Sequence, residues 1–213
     1  MRSPSPVADP AAQPTQTARV ANIANGLTLL RLMLVPVFLA LLLVDAGHSP
    51  GWRVWAFVAF VVASVTDLID GDLARSRGLV TDVGKVADPI ADKALTSAAL
   101  IGLSALGDLP WWVTVVILIR EVGITALRFF VIRHGVIPAS RGGKAKTLLQ
   151  NLAIGLYLLP LTGWAASVRF WFMGVAVVVT LATGADYVAR AMHLRRTSPR
   201  AEMKRARRRA ASQ

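Results

Sequence analysis

Asp67, Asp70, Gly71, Ala74 and Arg75 are followed, after eight intervening residues, by Gly84, Asp88 and Asp92. Asp67, Asp70 and Ala74 stand at i, i+3 and i+7 and so share one helix face, and Asp88 and Asp92, at i and i+4, share one face of the next helix. The intervening eight residues suffice for a turn, so the two helices are expected to run antiparallel with their carboxylates facing inward. All-oxygen donors suit a hard divalent cation, and magnesium in particular keeps places for water and substrate phosphate. Two such ions would clamp both sides of a phosphoryl displacement. Gly71, Ala74 and Gly84 remove side-chain bulk beside the carboxylates, leaving room for a flat base and its pyrophosphate. Arg75 adds a planar, permanent cation suited to phosphate oxygens, and Thr81 offers a hydroxyl from the connecting loop.

The chain that must position these groups is 54% apolar over 213 residues, with a mean hydropathy of +0.53. Such a composition is that of a membrane protein. A carboxylate in hydrocarbon costs about 2.5–3.5 kcal/mol on insertion scales, and four close together also repel one another. A bound cation would offset both terms. There is no cysteine, which excludes disulfides, thiolate metal sites and thiol nucleophiles. His48, His134 and His193 are scattered without metal-ligand spacing.

The pattern predicts an all-α bundle of six transmembrane helices in one domain, residues 20–193, between a disordered tail at 1–19 and a basic tail at 194–213. The spans are expected near 26–44, 54–75, 84–106, 111–133, 146–163 and 168–192. Turns are expected at Gly47 to Gly51, at Gly78, at Gly107 to Pro110 and at Gly142-Gly143. The loops at 45–53, 107–110 and 163–169 hold only Arg53 and Arg169, whereas Arg75, Arg77, Lys85, Arg133, Arg141, Lys144, Lys146 and the C-terminal run lie on the other side. By the positive-inside rule that side is cytoplasmic, with both termini and the acidic motif. The location expected is the inner (cytoplasmic) membrane. The net charge of +12 fits anionic lipid headgroups, and no aromatic pattern or motif supports nucleic acid.

Further charges lie deeper. Arg120 and Glu121 interrupt the fourth span, and intramembrane charges are candidates either for function or for helix pairing. Arg120, Arg128, Lys144 and Lys146 form a candidate site for an acceptor phosphate, with Arg128 and Lys144 the preferred pair. Asp186 is expected to pair with a cation on a neighbouring helix.

The eight-position motif resembles, in full, that of the CDP-alcohol phosphotransferases. Flanking stretches extend the resemblance over roughly residues 20–190: Asn22 to Thr28 with Arg31 and Pro36, Gly84 to Lys93, Arg120-Glu121 with Leu127-Arg128, and Gly143 to Thr147 with Gln150. Ala24 and Ala87 depart from the pattern without touching the chemistry. The flanks are similar to the branch that transfers a phosphatidyl group from CDP-diacylglycerol to glycerol 3-phosphate, releasing CMP. The resemblance implies Asp67, Asp70, Asp88 and Asp92 at two Mg2+ or Mn2+ ions, with Asp92 as the base. It places Leu29, Leu30, Arg31, Gly71, Arg75 and Thr81 at CDP-diacylglycerol, with Ala74 and Gly84 beside it, and implies a homodimer. Within the family the acceptor could instead be inositol phosphate or phosphatidylglycerol. Outside it, the rival reading is a divalent-cation transporter, which an arginine beside the cation path disfavours.

Overall fold

The computed structural model describes the backbone of residues 15–76, 82–131 and 141–197, and the side chains of 29–66, 93–127 and 145–194. The described residues form six α-helices and no strand: α1 (Thr15–Leu43), α2 (Pro50–Ser76), α3 (Asp82–Ala105), α4 (Trp111–Val131), α5 (Arg141–Leu158) and α6 (Trp164–Thr197). Helix α1 packs against α2 and α3, α5 against α2, α3 and α6, and α4 against α3 and α6.

Several boundaries differ from those read off the sequence, each for a local reason. Helix α1 begins at Thr15, inside the segment expected to be irregular, because the proline-rich stretch ends at Pro14 and nothing after it breaks a helix. Helix α5 begins at Arg141, so Gly142 and Gly143 lie in its first turn and not in a loop. First-turn N–H groups have no intrahelical partner, and glycine there costs little. The breakers Gly135 and Pro138 fall in the preceding connection, outside the described residues. Helix α5 then stops at Leu158, five residues short of expectation, because Pro160 disfavours helical backbone at Leu159. The turn expected at Gly78 lies outside the described residues.

The link from α1 to α2 is a tight 3-10 turn, Val44–Gly47, in which Asp45, Ala46 and Gly47 all adopt left-handed backbone (φ 53°, 49° and 75°). A Cβ at Gly47 would lie 2.6 Å from the tip of the Leu106 side chain, and the left-handed backbone angle favours glycine there.

The core follows helical periodicity. Ala56, Ala59, Phe60 and Ala63 form one stripe of α2, and Leu95, Ala99 and Leu103 one stripe of α3. Phe38 of α1 meets Phe60 with ring centroids 5.9 Å apart. Small residues set the closest approaches: a Cβ on Gly102 would lie 2.8 Å from Leu42, and one on Gly155 3.2 Å from Phe57.

One end of the bundle is knotted by Arg53. Its guanidinium lies 2.7 Å from Asp108 in the α3–α4 connection and donates to the carbonyls of Leu158 (3.2 Å), Tyr157 (2.7 Å) and Gly47 (3.4 Å). Arg169, early in α6, sits 5.2 Å from the Tyr157 ring centroid. The starts of α2 and α6 therefore meet the ends of α3 and α5, and α2 and α3 run antiparallel. Arg53, expected in a loop, is a buried helical residue. All six tryptophans gather toward this end, within the first eight residues of α2, α4 and α6, and stand 45% to 83% exposed.

Two stretches, Leu29–Gly47 and Trp164–Leu194, are long and apolar enough to cross a membrane, while Pro50–Thr66 and Lys93–Ala105 are apolar but shorter. Among the described residues, length and composition thus mark two spans.

Candidate functional site

Asp67 and Asp70 occupy the last third of α2, with Gly71, Ala74 and Arg75 after them, and Gly84, Asp88 and Asp92 occupy the first half of α3. Asp67 lies 14 residues beyond Arg53, about 21 Å along the helix. The motif therefore belongs to the end of the bundle remote from the tryptophans. Helices α2 and α3 pack together and run antiparallel, as the motif requires of its two halves. The side chains of the eight motif residues, and Thr81 altogether, lie outside the described residues, as do the side chains of Arg128 and Lys144.

On α1, Arg31 is buried, whereas Leu29 and Leu30 are exposed. The three candidate nucleotide-lipid residues thus divide into two that face outward and one that faces the bundle.

The described part of the site is a polar cluster centred on Glu121 of α4. Lys93 of α3 donates to Glu121 Oε2 at 2.8 Å. Lys146 of α5 donates to Glu121 Oε1, and Arg120 reaches the same oxygen at 3.1 Å. Arg120 also donates to Thr183 Oγ1 of α6 at 3.2 Å, and its stem packs where Gly184 lacks a side chain: a Cβ there would meet Arg120 Cγ at 3.2 Å. Lys146 is 4% exposed, Arg120 and Glu121 are 15% and Lys93 is 31%, so among the described side chains three cations share one carboxylate in a mostly dry setting. Charges so placed need partners, and an anion would complete the balance.

Beside the cluster is a cavity of about 20 Å³, lined by Lys93, Thr96, Ser97, Glu121, Lys146 and Gln150 among others. That is room for one water molecule. Of the four candidate acceptor-phosphate residues, Lys146 lines this cavity, while Arg120 is directed to α6. The sequence reading missed Lys93 and left Glu121 without a role. The signal was present, since Lys93 directly follows Asp92 and Glu121 stands inside an apolar helix. Asp186 pairs with Arg190 one turn along its own helix, at 2.9 Å and exposed, and not with a neighbouring helix.

An all-helical bundle with small residues at its helix crossings, a buried cationic cluster and a two-helix aspartate motif has the general build of a membrane-embedded enzyme acting on an anionic substrate. The chain belongs to the CDP-alcohol phosphatidyltransferase family, whose model matches residues 21–182, a stretch that includes all eight motif positions, Glu121 and Lys146. It is 57% identical over 175 residues to a probable phosphatidylglycerophosphate synthase of Mycobacterium tuberculosis, covering 82% of this chain and 84% of that protein. It is 35% identical over 193 residues to the CDP-diacylglycerol–glycerol-3-phosphate 3-phosphatidyltransferase of Bacillus subtilis (83% and 98% covered). It is 33% identical over 181 residues to a CMP-forming cardiolipin synthase of Streptomyces coelicolor (77% and 84% covered).

Proposed function

We propose that this protein transfers the phosphatidyl group of CDP-diacylglycerol to glycerol 3-phosphate, giving phosphatidylglycerophosphate and CMP. The observation that carries the reading is the complete aspartate motif on two packed antiparallel helices, in a chain 57% identical to a probable phosphatidylglycerophosphate synthase. The Glu121 cluster adds surplus positive charge, suited to an acceptor that is itself a phosphate.

The donor set fits a hard divalent cation, since the motif offers four carboxylates from adjoining helices and no soft ligand. Asp67, Asp70, Asp88 and Asp92 would hold one or two Mg2+ or Mn2+ ions, which supply charge neutralisation at the pyrophosphate. Gly71, Ala74 and Gly84 leave space for the cytidine nucleotide, and Arg75, Thr81 and Arg31 bind it, with Leu29 and Leu30 toward the acyl chains. Arg120, Arg128, Lys144 and Lys146 form the acceptor's phosphate site, with Arg120 acting from the α6 side. Asp92 takes the proton from the primary hydroxyl of glycerol 3-phosphate as that oxygen bonds to the β-phosphorus. The bond from that phosphorus to the bridging oxygen breaks, and CMP leaves. Positioning and electrostatics supply most of the acceleration in such transfers.

The domain is residues 20–193, crossing the inner membrane six times with both ends and the motif cytoplasmic. The exposed tryptophans at the opposite end support this placement, since such residues favour the membrane–water boundary. The basic tail at 194–213 lies on anionic lipid, and two chains pair as a homodimer. Purified protein given CDP-diacylglycerol and one acceptor at a time tests the reading. Magnesium-dependent CMP release with glycerol 3-phosphate is expected. Release only with inositol phosphate or phosphatidylglycerol overturns the choice of acceptor, and metal uptake into vesicles without CMP release favours the transporter.

A further inference from the structure

We infer that Glu121 is a positioning residue for the acceptor: it holds Lys93 and Lys146 at the cavity wall so that both ammonium groups are in place when the acceptor's phosphate arrives. The inference rests on the functional reading above.

Three observations carry it. First, Glu121 divides its two oxygens between helices, Oε2 taking Lys93 of α3 and Oε1 taking Lys146 of α5 and Arg120 of its own helix. Through Arg120 and Thr183 the same network reaches α6, so one carboxylate ties four helices together. Second, the arrangement is unbalanced. A purely structural pair needs one cation per carboxylate, and here, among the described side chains, three converge, two of them from helices that border a common cavity. Without Glu121 the lysines would repel each other across that cavity, and their long, flexible stems would carry them apart. Third, Lys93 directly follows Asp92, the proposed base. Its bond to Glu121 fixes the rotation of α3 at that turn, and so links the acceptor's cations to the backbone that carries the base.

The cavity sharpens the role. With room for a water only, it admits a phosphate when the lysine heads move from Glu121 toward the incoming anion. The lysines thus exchange a carboxylate for a phosphate and are at no stage without a counter-charge.

Steady-state kinetics on the full-length protein in detergent, varying each substrate separately, tests this. Glu121→Gln keeps the shape and removes the charge. It should raise KM for glycerol 3-phosphate about tenfold or more, the scale of a misplaced binding group. KM for CDP-diacylglycerol should stay within about twofold and kcat within about threefold, since binding before chemistry is what is lost. If that variant does not fold, Glu121→Asp decides: it keeps the charge but shortens the arm, and should raise the acceptor KM while the thermal midpoint stays near that of the parent. An unchanged acceptor KM in the folded variant, or an equal rise in both KM values, overturns the inference and leaves Glu121 a structural tie. A parent protein that releases no CMP with glycerol 3-phosphate overturns the functional reading instead, and the same variants are then scored with the acceptor that does support release.

Discussion

At the scale of the residue, the proposed chemistry concentrates on Asp92. It stands one position before Lys93, which is bonded to Glu121, and so shares the helical turn that the polar cluster holds. Asp92→Asn removes the proton acceptor but keeps the size and an oxygen donor. We expect transfer to fall by about 10²–10⁴-fold, the usual contribution of a positioned base, while binding of the nucleotide lipid persists. Equilibrium binding of CDP-diacylglycerol beside CMP release checks this, and loss of binding with normal residual turnover contradicts the role. Arg53 makes the opposite case, a charge whose partners are all structural. It serves Asp108 and three carbonyls in a buried setting. Arg53→Met leaves those groups without their donor and should cost about 3 kcal/mol of stability, read as a lowered unfolding midpoint in detergent. Activity per folded molecule should survive, because Arg53 lies at the end remote from the motif.

At the scale of the element, close helix contact depends on missing side chains. Gly102 of α3 sits where a Cβ would come within 2.8 Å of Leu42, which is itself fully buried. Gly102→Val should therefore push α1 from α3 and destabilise by about 1–3 kcal/mol, the ordinary cost of overpacking. A midpoint at or above that of the parent would show that the contact relaxes freely. This level was only partly legible beforehand. Helix existence and order followed from apolar runs and breakers, and the motif's division between α2 and α3 followed from its spacing. Helix ends did not follow so well. Pro160 stops α5 at Leu158 through its effect on the residue before it, and Gly142-Gly143, a turn signal in isolation, lies within a helix. The partner of Lys93 is 28 residues away, and Arg53 draws on the carbonyls of Tyr157 and Leu158 more than 100 residues away, with Asp108 and nearby Gly47. Such pairings belong to tertiary packing, on which periodicity is silent.

At the scale of the whole molecule, the bundle is polarised. The Arg53 knot and six tryptophans mark one end, and the aspartate motif and the end of α6, with Arg195 and Arg196, belong to the other. Helix α6 alone has 34 residues, about 51 Å, and so outruns a bilayer core of about 30 Å. Its start carries exposed Trp164 and Trp171, and its far end carries the exposed pair Asp186 and Arg190. An apolar start with aromatics and a polar finish suit a helix that crosses and then emerges. The proposed orientation puts the motif on the cytoplasmic side, where a soluble anionic acceptor would reach it. The absence of cysteine makes this directly measurable. A single cysteine replacing Ala46, in the exposed α1–α2 turn, should react with a membrane-impermeant maleimide in sealed right-side-out vesicles. One replacing Thr197, at the end of α6, should react only after the vesicles are opened. The reverse pattern would turn the enzyme to face outward. The six-span arrangement puts five crossings, α2 to α6, between the two positions, so labelling of both from outside would require an even number and that arrangement would have to be abandoned.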